Sequence, residues 1–174
     1  MTEESALPAD DLTRQASVID ADDPRLTHLG VVGDTYTVLL TGDDTAGRYS
    51  LIDMLVPPGG GPPAHRHDFE EMFHVLDGQV EITFRGETST AHTGQTVNIP
   101  ARAPHQFRNA SDRPARLLCL TTPSGLDRMF VAIGDRLPTR LSPAPVLSRD
   151  ELERRIGAAS GLAAELGMES MPPG

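Results

Sequence analysis

The sequence predicts an all-β, antiparallel barrel or sandwich with two helices at its C-terminal end. Three observations carry this. Short β-rich segments follow one another between Gly, Pro and Asp turn signals across residues 16–123. No helical period interrupts them, which excludes an α/β sheet of the parallel kind. After Ser124 the apolar residues change from alternation to helical spacing.

Residues 1–15 read as a flexible acidic leader, and Ser17–Asp20 as a weak short strand. Thr35–Leu40 and Tyr49–Val56 are strand-like and are separated by the turn composition of Thr41–Gly47. A Pro/Gly loop at 57–63 leads into a histidine cluster. Glu71–Leu76 precedes Asp77-Gly78, a hairpin signal. Gln79–Arg85 alternates, with Val80, Ile82 and Phe84 on one face. Gly86, Gly94, Pro100, Pro104 and Pro114 punctuate the next segments, and Ala115–Thr122 is a further strand. Residues 16–123 therefore form the β domain and residues 124–174 a helical extension. In the extension, Ser124 is placed to cap a helix carrying Leu126, Met129, Phe130 and Ile133, with Gly134 ending it. Ser148–Glu151 has the form of a capping box opening a second helix that Gly167 stops, and Met171–Gly174 is a tail. Both helices are expected to pack on the barrel flank.

At 174 residues the chain fits one domain with a real core. A net charge of -10 and the lack of Lys/Arg runs exclude a nucleic-acid backbone as partner. No stretch approaches a membrane span, and the acidic N-terminus carries no signal-peptide pattern, so a cytoplasmic protein is expected. The single cysteine, Cys119, reads as a small buried side chain without a role.

Chemistry concentrates in His65, His67 and Glu71, which on an extended strand share one face. Glu70 has the opposite parity, so Glu71 is the preferred carboxylate. Phe69, Phe73 and Phe107, also odd-numbered, are the expected pocket walls. His74 is expected to pack on the outer face with Met72 and Leu76, beneath another strand or a second subunit. His28 and His92 read as surface residues.

Two spaced patterns enclose these residues. Gly59, His65, His67, Glu71 and Gly78 fit G-x5-H-x-H-x3-E-x6-G; Gly94, Pro100, His105 and Asn109 fit G-x5-P-x-G-x2-H-x3-N. In both patterns the chain resembles the cupin superfamily. The departure is Arg102, where the pattern has Gly: Arg there must accept a positive φ or another backbone geometry. A solvated turn residue and a cation facing an anionic substrate are the two readings of its side chain.

The resemblance implies a jelly-roll barrel in which His65, His67, Glu71 and His105 hold one divalent transition metal ion. Fe, Mn, Ni, Co, Cu and Zn all accept such ligands, and the sequence does not choose among them. Within the superfamily the chain is similar to small quercetin 2,3-dioxygenase-like cupins, the Thr121–Phe130 stretch included. That similarity implies a dioxygenase acting on an enolisable aromatic molecule such as a flavonol, with Glu71 as ligand and catalytic base and O2 as co-substrate. It also implies pairing into a homodimer. A non-redox polyketide cyclase or isomerase and a non-catalytic small-molecule binder are the rivals.

Overall fold

Residues 7–172 are described by the computed structural model. They form strands β1 (Thr27–Val31), β2 (Asp34–Leu40), β3 (Ser50–Val56), β4 (His65–His67), β5 (Glu70–Asp77), β6 (Gln79–Phe84), β7 (Glu87–His92), β8 (Thr96–Ile99), β9 (His105–Arg108) and β10 (Ala115–Thr122). Helix α1 (Leu126–Ile133), strand β11 (Asp135–Leu137), helices α2 (Arg149–Ala158) and α3 (Ser160–Glu165) and strand β12 (Met168–Ser170) complete the chain. All strand pairs are antiparallel, in two sheets ordered β11-β1-β2-β3-β10-β5-β8 and β12-β4-β9-β6-β7. This is the jelly-roll barrel with C-terminal helices that the sequence predicts.

Strict alternation builds the interior. Phe73 and Val75 of β5 point inwards beside Leu117 and Cys119 of β10, which in turn face Ile52 and Met54 of β3. Each fully buried apolar side chain of this size contributes roughly 1.5–3 kcal/mol. Leu126, Met129 and Phe130 of α1 close the core at its edge, with the Phe130 ring 4.9 Å from that of Tyr36.

Several local expectations are corrected. Ser17–Asp20 forms no strand; Val18 is exposed there, and no partner strand pairs with the segment. Asp77-Gly78 is no hairpin, because β5 pairs with β10 and β8 while β6 pairs with β7 and β9. Gly78, at φ 78, instead turns the chain from one sheet to the other. Two-residue hairpins lie instead at Val32-Gly33 and Arg85-Gly86, where φ of 53 and 92 and of 50 and 89 give the primed turn that suits twisted strands.

His28 is buried, not on the surface, and its Nδ1 meets Thr37 Oγ1 at 2.8 Å. The chain near Ser142–Pro145 covers the outer face of β1 and β2: Thr35 Oγ1 donates to the Ser142 carbonyl at 2.7 Å. Helix α1 starts at Gly125 with no capping side chain, so Ser124 is not its cap. Ser148 does cap α2, accepting from the Glu151 N–H at 3.2 Å. The second expected helix is broken at Ala159, within the weak helix-forming stretch Gly157–Gly161. Residues 7–15 have no regular strand or helix, and residues 1–6 of the expected leader lie outside the described residues, as do 173–174 of the tail. Met168–Ser170, within the segment read as a helical extension, is a strand paired with β4.

The 57–63 loop lies directly on β9. A Cβ on Gly61, whose φ is 126, would stand 2.1 Å from the Phe107 carbonyl oxygen. Gly61→Ala is expected to lose about 2–4 kcal/mol in urea unfolding, from a forbidden φ and a displaced strand. A loss below about 0.5 kcal/mol would show that the loop can lift off β9 freely.

Candidate metal centre

His65 and His67 project inwards from β4 because they are two residues apart; Arg66 between them points out and donates to Glu169 of β12 at 2.7 Å. The chain then bends at Asp68–Phe69 and leaves one sheet for the other. The single strand expected to carry His65, His67 and Glu71 is therefore two strands in facing sheets. Glu71 still points inwards, because both sheets turn their inner faces to the same core and β5 alternates from Glu71 through Phe73 to Val75. Glu70 points out and accepts from the Ala101 N–H at 3.1 Å and Asn98 Nδ2 at 3.2 Å. His105 arrives on β9, directly opposite His65 in the β4–β9 pairing.

One ligand atom from each of His65, His67, Glu71 and His105 lies within 4.8 Å of the others. The ring orientations have a common cause. Nδ1 of His65 meets the Pro63 carbonyl at 2.9 Å, that of His67 the Phe69 carbonyl at 3.0 Å, and that of His105 the Ala103 carbonyl at 2.9 Å. A carbonyl only accepts, so each Nδ1 carries the proton and each neutral ring keeps its lone pair on Nε2. Nε2 of His67 and of His105 both lie 3.1 Å from Glu71 Oε2. Two lone pairs facing a carboxylate oxygen at that distance call for a cation among them, a proton or a metal ion. Ligand atoms bound at 2.0–2.1 Å and roughly at right angles stand about 3.0 Å apart, so His67, His105 and Glu71 are spaced for one transition-metal ion, and the four-atom set, which spreads to 4.8 Å, would close slightly on binding it.

Charge and burial agree with this. Burial alone would raise the Glu71 carboxyl, but hydrogen bonding and positive charge shared with His105 and His67 outweigh it and hold the group well below the usual carboxylate range, which needs the same cation among them. Burial, helped by the neighbouring His105, lowers His65 to about 4, so its ring is neutral at pH 7. Cys119, given no role by the sequence, donates its S–H to Glu71 Oε1 at 3.3 Å. Its signal was the inward row Leu117, Cys119 and Thr121 on β10, with Thr121 registered opposite Glu71.

Asn109 anchors the approach loop. Its Nδ2 donates to the Val56 and Arg113 carbonyls at 2.9 and 2.7 Å, while its backbone exchanges bonds with Gly59 and Gly60. Arg102 takes the left-handed conformation, at φ 69, which costs roughly 1–2 kcal/mol for a residue with a Cβ. That geometry lets its N–H donate to the His67 carbonyl at 2.7 Å, and its exposed guanidinium pairs with Asp68 at 2.6 Å.

Beside the cluster is an apolar cavity of about 140 Å³. Of the four cluster residues, His65 is the one on its wall; Phe73 and Phe107, edge-to-face at 5.1 Å, separate it from the core. Phe69 is not on the wall but stacks flat on His67 at 3.8 Å. Tyr36, which the sequence did not single out, also lines the cavity and donates its hydroxyl to Asp34 at 2.9 Å. Burial pushes Asp34 up to about 7.

Residues 52–121 match the model of the cupin domain. The chain is 30% identical over 128 residues to quercetin 2,3-dioxygenase of Bacillus subtilis (strain 168), which covers 73% of this chain and 37% of the relative. It is 33% identical over 94 residues to the polyketide synthase CurC of Streptomyces cyaneus, covering 52% of this chain and 60% of that one. It thus spans well under two thirds of the quercetin dioxygenase and somewhat under two thirds of CurC. Among solved structures, the polyketide cyclase RemF from Streptomyces resistomycificus superposes with a TM-score of 0.56 at 24% identity, over 80% of this chain and 92% of that chain. At that identity the likeness speaks for the fold.

The His65 ring gives a direct check. Its folded value of about 4 lies below its ordinary 6.5, so its contribution to stability is present above pH 6.5 and is lost as pH falls towards 4. Imidazole 15N NMR of the metal-free protein should place the His65 midpoint near 4; a midpoint near 6.5 would show that the ring is solvated.

Proposed function

The chain is a cupin superfamily protein, and from that premise we propose that it is a metal-dependent dioxygenase acting on an enolisable aromatic small molecule such as a flavonol. The observation that carries this is the convergence of three imidazoles and one carboxylate beside an apolar cavity. His65, His67, His105 and Glu71 would hold one divalent ion, which would supply a Lewis acid and, where redox-active, reactivity towards O2.

The chain's own residues have separable tasks. Glu71 lies behind His65 from the cavity, so the substrate's oxygen edge reaches past His65 for Glu71 to take the enol proton and leave an enolate. Cys119 steadies the Oε1 atom of that carboxylate, and the Nδ1 bonds keep all three imidazoles turned to the centre. Phe73 and Phe107 hold the aromatic ring and exclude water. Around this site the reading places a cytoplasmic protein, paired as a homodimer through the outer face of β5, where Met72, His74 and Leu76 are only half-buried. Among the described residues no helix is long and apolar enough to cross a membrane.

A second reading, a non-redox cyclase or isomerase of aromatic polyketides, is favoured by the match to CurC. It uses the same four ligands and the same proton acceptor, without O2.

Metal analysis and gas exchange separate these readings. The purified chain is expected to retain about one transition-metal ion, and His105→Ala to lose about 90% or more of it. Unchanged metal content in that variant would remove the basis of the proposal. O2 uptake with an enolisable aromatic substrate supports the dioxygenase, whereas equal turnover under argon supports the cyclase or isomerase.

A further inference from the structure

The cavity beside His65 has two walls of different origin. The barrel supplies one, through Phe73 and Phe107. The chain beyond the matched cupin segment supplies the other, through Met129 and Phe130 of α1, Ile156 of α2 and Met168 of β12. That outer wall is joined to the barrel sheets through β12 and β11 and is braced within itself. Strand β12 pairs with β4, placing Met168 opposite His67 and Ser170 opposite His65. Arg128 of α1 pairs with Glu165 of α3 at 2.7 Å, and Arg155 of α2 with Asp135 of β11 at 2.8 Å. Leu166 seats on Gly125, where a Cβ would lie 2.4 Å from its Cδ2.

The space between the two walls is small, and it is half-open to solvent. At about 140 Å³ it is well below the range of roughly 300–1,000 Å³ usual for drug-sized ligands. It is close to the apolar cavity of about 150 Å³ that takes benzene in another protein. Building on the metal-centre reading above, we infer that the C-terminal extension restricts the substrate to a single ring bearing a hydroxy-ketone or similar oxygen edge. The oxygen edge lies towards His65 and the apolar edge towards Met129 and Ile156. A flavonol, with three rings, overfills the space unless α2, α3 and β12 move off the mouth. Met168 and Ile156 are thus size-determining residues, and they stand outside the metal-ligating set.

Binding can be read without turnover, on the full chain loaded with Zn(II). Maltol and flavonol carry the same hydroxy-ketone edge on one ring and on three. Calorimetry is expected to show maltol binding about tenfold tighter or more. Methyl NMR should show the Met129 and Met168 signals moving with it. In Ile156→Ala/Met168→Ala, or in Ile156→Ala alone if the double variant does not fold, flavonol should gain and the gap should close to about threefold or less. Flavonol binding the parent as tightly as maltol, or a gap unchanged in both variants, overturns the size restriction. With zinc retained, that result leaves the metal centre standing. In the opposite case, a chain that holds no zinc but whose Met129 and Met168 methyls shift with toluene keeps the single-ring cavity and loses the metal reading.

Discussion

Three hydrogen bonds from imidazole to main chain decide what this barrel can do. His65, His67 and His105 each give Nδ1 to a carbonyl two residues away, on Pro63, Phe69 and Ala103. Those carbonyls sit where the chain has just left or is about to enter a strand, so their directions are set by loops. Asn109 and Gly61 hold the first loop against β9, and the left-handed Arg102 ties the turn before His105 to the His67 carbonyl. Loop geometry thus becomes tautomer, and tautomer becomes a ligand set. No charged side chain is needed to orient the rings, and among the described residues Glu71 is the one carboxylate in the cluster.

The second constraint is the pairing of two sheets across one core. Two histidines come from β4 and one from β9 in the smaller sheet, while Glu71 comes from β5 in the larger. A cation held by all four would join the sheets and offset the buried charge of the Glu71 carboxylate, to whose Oε1 the Cys119 thiol donates. The apolar neighbours Phe73 and Phe107 then serve the fold and the cavity at once. An edge-to-face pair of this kind adds about 0.5–1.5 kcal/mol to its burial.

Much of this was legible in the sequence, for identifiable reasons. Parity gives the opposite facing of Glu71 and Glu70 even though the strand assumed for them breaks at Asp68–Phe69, because four residues of offset preserve facing when both sheets look inwards. The alternation of Gln79–Arg85 yields β6 with its inner face. The features that escaped depend on tertiary pairing. Asp77-Gly78 has the composition of a hairpin, yet its flanking strands belong to different sheets. Met168-Glu169-Ser170 has no strand signature and is a strand only because β4 offers it an edge. Cys119, Asp34 and Tyr36 are ordinary strand residues until the register places them beside a carboxylate, a loop and a cavity. His28 reads as exposed because nothing in its neighbourhood announces that Ser142–Pro145 will cover its sheet.

Scaffold, ligand set and cavity therefore have separate physical origins, and the central claim concerns the ligand set: three imidazoles present Nε2 to one ion while their Nδ1 protons remain on main-chain carbonyls. Imidazole 15N NMR of the chain loaded with 113Cd(II) tests it most directly. Cadmium couplings are expected to the Nε2 of His65, His67 and His105, each with a slowly exchanging Nδ1–H. Coupling to an Nδ1, or to fewer than these three rings, would contradict it.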